Sequence, residues 1–179
     1  MKNICKNIKL ILFLILIIVN IFNSCSSNDN SDFIDLNKRS EKFIKLYNIE
    51  ETSKIADLFY YPDEMSSGEK KEEYDYIKGV INILLNNFGH VKESRLQNNI
   101  IVHHSLYFGT ATPEYWNKYG NYKKVIFKVC FTKLGDGFIQ FQYVKVNDKY
   151  EIKQVEFGLP YDNKSRLIIE NILKEIIQL

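Results

Sequence analysis

Hydrophobic residues recur at two different periods along this chain, and the change falls near residue 90. From Asp35 to about Tyr47, Leu36, Phe43, Ile44 and Tyr47 form one stripe, while Lys38, Arg39, Glu41, Lys42 and Lys45 are placed for water. That is the pattern of a helix with one buried side. A second short helix is expected from Glu51 to Phe59 and ends at Tyr60-Tyr61-Pro62-Asp63, because proline disfavours helical geometry in the residue before it. The strongest helical signal runs from Ser67 to Phe88. Tyr74, Ile77, Ile81, Leu84 and Phe88 recur on one face. Ser66 and Glu69 have the spacing of a capping box, Met65 is placed as its hydrophobic staple, and Gly89 stands where a C-terminal cap belongs.

After Gly89 the period becomes two. His90–Leu96 is a polar strand candidate and Ile100–Phe108 a stronger one. In Lys123–Lys133, Val125, Phe127, Val129 and Phe131 point one way, and Lys124, Lys128 and Thr132 the other. Gly135-Asp136-Gly137 has the composition of a tight turn. Phe138–Val146, a turn at Asn147-Asp148 and a last strand Lys149–Leu159 follow. The apolar parity of that last strand changes between Ile152 and Val155, which predicts a bulge near Lys153-Gln154. Short turns between the last three strands imply an antiparallel meander. Pro160 ends the sheet, and Asn163–Gln178 reads as a helix with Leu167, Ile168, Ile172, Leu173, Ile176 and Ile177 on a wide apolar face.

Helices, then strands, then one helix imply an α+β fold. The expectation is amphipathic helices packed on a curved antiparallel sheet of four or five strands, with a C-terminal helix, all within one domain at 34–179. The order of amphipathic helices, Pro62, the Ser66-to-Phe88 segment, Gly89 and a long meander resembles small extracytoplasmic domains of the nuclear-transport-factor-2-like class, and also the cystatin-like class. The likeness covers about residues 35–160 and rests on element order.

The first 24 residues follow a different logic. Met1–Lys9 is basic, Leu10–Val19 is an unbroken apolar run, and Asn20-Ile-Phe-Asn-Ser24 leads to Cys25. This is the order of a secretory signal, and the apolar run is shorter than the roughly 20 residues of a membrane span. Phe22-Asn23-Ser24-Cys25 resembles the lipobox of bacterial lipoproteins. Ser24 and Cys25 fit that pattern, and Phe22 and Asn23 depart from its usual leucine and small residue. The resemblance implies a diacylglyceryl thioether on Cys25, cleavage after Ser24, and a membrane partner held through the lipid. The other reading is an uncleaved anchor helix that ends at a chance cysteine. Either one places the rest of the chain on the extracytoplasmic side of a membrane, in the cell envelope. Residues 25–33, which include Ser26–Asp32 (SSNDNSD), then read as a flexible tether.

Composition supports this division. The 179 residues are 45% hydrophobic and 26% charged, a globular balance. The formal charge of +2 comes from 24 Lys and Arg against 22 Asp and Glu, and Lys2, Lys6 and Lys9 all lie in the signal segment. The remaining 21 basic groups leave a balance of −1, and Lys and Arg form no stripe, so nucleic acid is not an expected partner. Of three cysteines, on the lipobox resemblance Cys5 would leave with the signal and Cys25 would carry lipid. Cys130, inside an apolar strand, is expected to be a buried structural thiol.

No HExxH, CxxC, GxSxG or phosphate-loop pattern is present, and no cofactor or metal is expected. His103 and His104 are adjacent in a strand, so their side chains point to opposite faces. Either is a candidate acid–base group, with a tyrosine such as Tyr107 beside it, in a small cavity enzyme of isomerase or hydrolase type. Gly109–Tyr122, read as a long hairpin loop, carries Tyr115, Trp116, Tyr119 and Tyr122. Aromatic rings with polar tips suit a binding surface for a small ligand or an envelope protein, though the reading these residues favour is a minor core closing an open end of the sheet. The favoured reading is a non-catalytic binding domain on a lipid anchor. A small cavity enzyme and a structural accessory subunit of an envelope complex are the alternatives.

Overall fold

A computed structural model describes residues 31–97, 103–110 and 122–179. Two compact units divide the chain, Met1–Lys38 and Arg39–Leu179. Among the described residues there are four helices and five strands. In chain order they are α1 (31–48), α2 (Thr52–Ala56), α3 (Ser67–Phe88), β1 (Val91–Gln97), β2 (His103–Gly109), β3 (Lys123–Phe131), β4 (Gly135–Val146), β5 (Lys149–Pro160) and α4 (Asn163–Ile176). The strands form one antiparallel sheet in the order β1-β3-β4-β5-β2. The class is α+β with a C-terminal helix, as the segregation of helices and strands along the sequence predicts.

Capping sets the limits of α3. The Ser66 hydroxyl accepts the Glu69 N–H at 3.3 Å, and the Glu69 carboxylate accepts the Ser66 N–H at 2.7 Å. The backbone hydrogen bond from Ser66, then its side chain, holds the Glu69 carboxyl below the usual carboxylate range. Gly89 closes the helix at φ 73°, a left-handed geometry that costs a side-chain-bearing residue energy. At the start of α4 the Asp162 carboxylate accepts the Ser165 N–H at 2.7 Å.

The core lies between the helices and one face of the sheet. Phe157 on β5 is fully buried and meets the rings of Tyr47, Phe88, Phe108 and Phe131 at centroid distances from 5.5 to 6.2 Å. Phe141 on β4 meets Phe43 at 5.2 Å and Phe127 at 6.2 Å. These aromatic pairs add about 0.5–1.5 kcal/mol each beyond the area they bury. The Tyr47 hydroxyl is buried without a hydrogen-bond partner among the described residues, and burial pushes its pKa up. Tyr47→Phe removes only that unsatisfied oxygen, so it is expected to raise stability by about 1 kcal/mol. Urea unfolding checks this, and a loss of stability would show that the hydroxyl has a partner.

The meander of β3, β4 and β5 forms as expected, and Asn147 and Asp148 turn its second hairpin with φ of 47° and 62°. The bulge also falls where the parity change places it. Gln142 pairs with Gln154 and Tyr143 with Ile152, so Lys153 is the extra residue on β5. On its other side β5 is covered by β2 as far as Gln154. Beyond it the α2–α3 linker continues the edge: the Ile152 N–H reaches the Leu58 carbonyl at 3.3 Å, and the Tyr60 N–H reaches the Ile152 carbonyl at 2.8 Å.

Three expectations need correction. The tight turn lies before Gly135-Asp136-Gly137, at Thr132-Lys133-Leu134. Only Gly135 takes a positive φ (79°), and Asp136 and Gly137 already pair with Cys130 and Val129. Next, β2 pairs with β5 and not with β3, so Gly109–Tyr122 is not a hairpin loop but a link between strands that are not neighbours. Finally, α4 buries Ile169, Ile172 and Ile176, while Leu167, Leu173 and Ile177 are exposed. Apolar residues surround so much of this helix that periodicity alone did not single out the buried arc.

At the edge of the sheet, Asn48 at the end of α1 occupies the place of a neighbouring strand. Its amide donates to the Val91 carbonyl and its oxygen accepts the Val91 N–H, both at 2.8 Å.

Candidate functional site

Two regions gather polar and aromatic side chains. The first is the sheet face turned away from the ring core. Gln140 and Tyr107 flank Glu156 in register across β4, β5 and β2. Glu156 Oε1 accepts the Ser105 hydroxyl at 2.6 Å and lies 3.1 Å from His103 Nε2, while Oε2 accepts the Gln140 amide at 2.7 Å. The edge of the His103 ring packs on Phe138 with centroids 4.3 Å apart. A carboxylate whose side chain is only 15% exposed needs such donors to replace the water it has lost. Because Ser105 donates to the carboxylate and not to an imidazole, these residues do not form a Ser–His relay of the hydrolase kind. They form a satisfied polar network that fixes the register of β2 on β5.

His104 lies on the other face, as strand alternation requires, and stacks on Tyr161 at 4.5 Å. Tyr107 is 65% exposed on the His103 side. The candidate acid–base groups are therefore divided between two faces.

Cys130 corrects another expectation. Its thiol is half-exposed, in a cleft of about 190 Å³ with Glu93, Arg95, Lys128 and Asp136. The reason is parity: Val129 and Phe131 point into the core, so Cys130 between them shares the wetter face with Lys128.

The second region lies where the α2–α3 linker meets α3 and the β4–β5 turn. The Tyr61 hydroxyl donates to the Ala56 carbonyl and the Tyr74 hydroxyl to the Ser53 carbonyl, each at 3.0 Å. The two rings stand 6.3 Å apart, tilted by 39°. Burial is the main cause that pushes the Tyr61 hydroxyl above the usual tyrosine range, with Tyr74, Glu73 and Asp57 adding to it. Tyr61 lines two open clefts. One, of about 420 Å³, also has Tyr60, Asp63, Asn147, Lys149 and Glu151 on its walls. The other, of about 400 Å³, has Asp57, Lys70, Lys71 and Tyr74. Both volumes fall within the roughly 300–1,000 Å³ of small-molecule sites.

No family model, curated protein or solved structure matches this chain. The residues themselves must therefore carry the functional reading. Cys25, Tyr115, Trp116 and Tyr119 lie outside the described residues, as does the whole of the signal segment. Tyr122 is half-exposed, with the ammonium groups of Lys124 and Lys153 at 5.4 and 5.5 Å from its ring centre. Thr110, which opens the link toward that aromatic-rich segment, donates a hydrogen bond to the Tyr60 carbonyl beside the larger cleft. Among the described residues no group of His, Cys, Asp and Glu is arranged to hold a metal ion, and no helix is long and apolar enough to cross a membrane.

Sequence reasoning missed Tyr60, Tyr61 and Tyr74 as site residues. Tyr60-Tyr61-Pro62 was visible only as a helix stop, and Tyr74 only as part of a helical stripe. Two adjacent tyrosines before a proline are a surface signal that deserves weight, since the proline prevents that segment from burying them within a helix.

Proposed function

We propose that this chain is a lipid-anchored protein of the cell envelope whose domain binds a ligand or a partner protein on the extracytoplasmic side. The observation that carries the reading is the N-terminal order: basic Met1–Lys9, apolar Leu10–Val19, Ser24-Cys25, then a polar stretch ahead of the domain. Acylation of Cys25 would supply the anchor, each buried CH₂ contributing about 0.8 kcal/mol, so that more than one chain gives stable attachment. The near-neutral balance of the chain after the signal supports a partner other than nucleic acid. The tyrosine-lined clefts support binding, since they present aromatic faces and polar groups together without a nucleophile–base pair.

Cys25→Ser is expected to release the protein from membranes into the soluble fraction and to abolish incorporation of labelled palmitate. A variant that stays membrane-bound and uncleaved would instead make Leu10–Val19 a permanent anchor.

A further inference from the structure

We propose that the two clefts flanking Tyr61 act as one groove for a neutral saccharide chain, an inference that names the ligand class for the binding reading above and rests on it. The clefts share Tyr61, whose side chain lines both. Both hydroxyl ends of the Tyr61–Tyr74 pair are held by backbone carbonyls, of Ala56 and Ser53. The rings are thus fixed before a ligand arrives; the Lys78 ammonium lies over the Tyr74 ring at 5.4 Å, so the Tyr61 ring, which lines both clefts, is the aromatic surface on offer. A fixed aromatic face suits the C–H face of a pyranose, because the electron-rich ring attracts weakly positive hydrogens and little side-chain freedom is lost on binding.

Charge narrows the choice further. Asp57, Asp63 and Glu151 contribute three carboxylates to the walls, that of Glu151 paired with Arg39 at 3.5 Å, and Lys70, Lys71 and Lys149 three ammonium groups. The balance is zero, so the groove favours neither a polyanion nor a polycation. Acids, amines and the Asn147 amide together are acceptors and donors for hydroxyl groups. Openness and polar walls disfavour a purely apolar ligand.

The test uses the full chain in detergent, titrated by calorimetry with short cello-, malto- and chito-oligosaccharides, and with heparin and polylysine as charged probes. At least one neutral oligosaccharide is expected to bind saturably, and neither charged polymer to compete with it. Tyr61→Ala is expected to weaken that binding by about three- to tenfold, the loss of one aromatic contact. Asp63→Ala, at an exposed wall position away from the core, is a second variant whose folding is not in question; it should weaken binding as well. Absence of binding by every neutral oligosaccharide, or binding unchanged in both variants, overturns the proposal. Saturable binding of a charged polymer alone also overturns it, while leaving the anchored binding domain in place. Failure of the anchor is read separately, from the membrane fraction of the Cys25→Ser variant.

Discussion

Alanine at Phe157 will cost about 3–5 kcal/mol of folding stability, the largest effect expected of any single truncation in this core. Phe157 is fully buried on β5, between β4 and β2, and its ring touches four others that belong to α1, α3, β2 and β3. No one of those neighbours can move into the vacated space without leaving its own contacts, so the cavity stays open, and part of the cost is that cavity. Urea unfolding monitored by circular dichroism measures the loss. A value near 1 kcal/mol would mean that the core collapses around the gap, and the four-element junction would then be less rigid than its ring contacts indicate.

The second large effect is expected one residue further along the same strand. At Gly158 a Cβ would stand 1.9 Å from the Phe138 ring, which lies across the β5 backbone on the sheet face opposite Phe157. Phe138 is itself buried and carries His103 on its ring, so it has no free volume into which to swing. Gly158→Ala is therefore expected to destabilise by about 1–3 kcal/mol through overpacking. The cause is separable. In the Gly158→Ala/Phe138→Ala double variant the added methyl meets no ring, so the two losses should sum to more than the double variant shows. Strict additivity would place the cost in the strand backbone and not in the ring.

Much of this architecture was legible because it is local. The Ser66–Glu69 box and Gly89 bounded α3 at the residues where it begins and ends, and a one-residue parity slip located the bulge near Lys153-Gln154. What stayed hidden depends on contacts distant in sequence. Nothing near β2 indicates that it will pair with β5, some fifty residues on. Glu156 carries no sequence signal of its own, and its role emerges only when Ser105 and His103 arrive from another strand. For Cys130 the information was present: the alternation that put Val129 and Phe131 inside already placed the thiol outside. An apolar neighbourhood in sequence was allowed to outweigh strand geometry. The tyrosine clefts were hidden for a third reason, since they need the linker, the first half of α3 and the β4–β5 turn to meet.

The Asn48 amide has a bearing on how this protein behaves in company. An open strand end is a template on which a second molecule can continue the sheet. By occupying both backbone groups of Val91, a single side chain closes the first rung of β1. The rungs that follow carry Lys92, Glu93 and Arg95, which stay hydrated, ahead of the exposed Leu96. One asparagine thus acts as a chain terminator for strand-on-strand growth at the start of this edge.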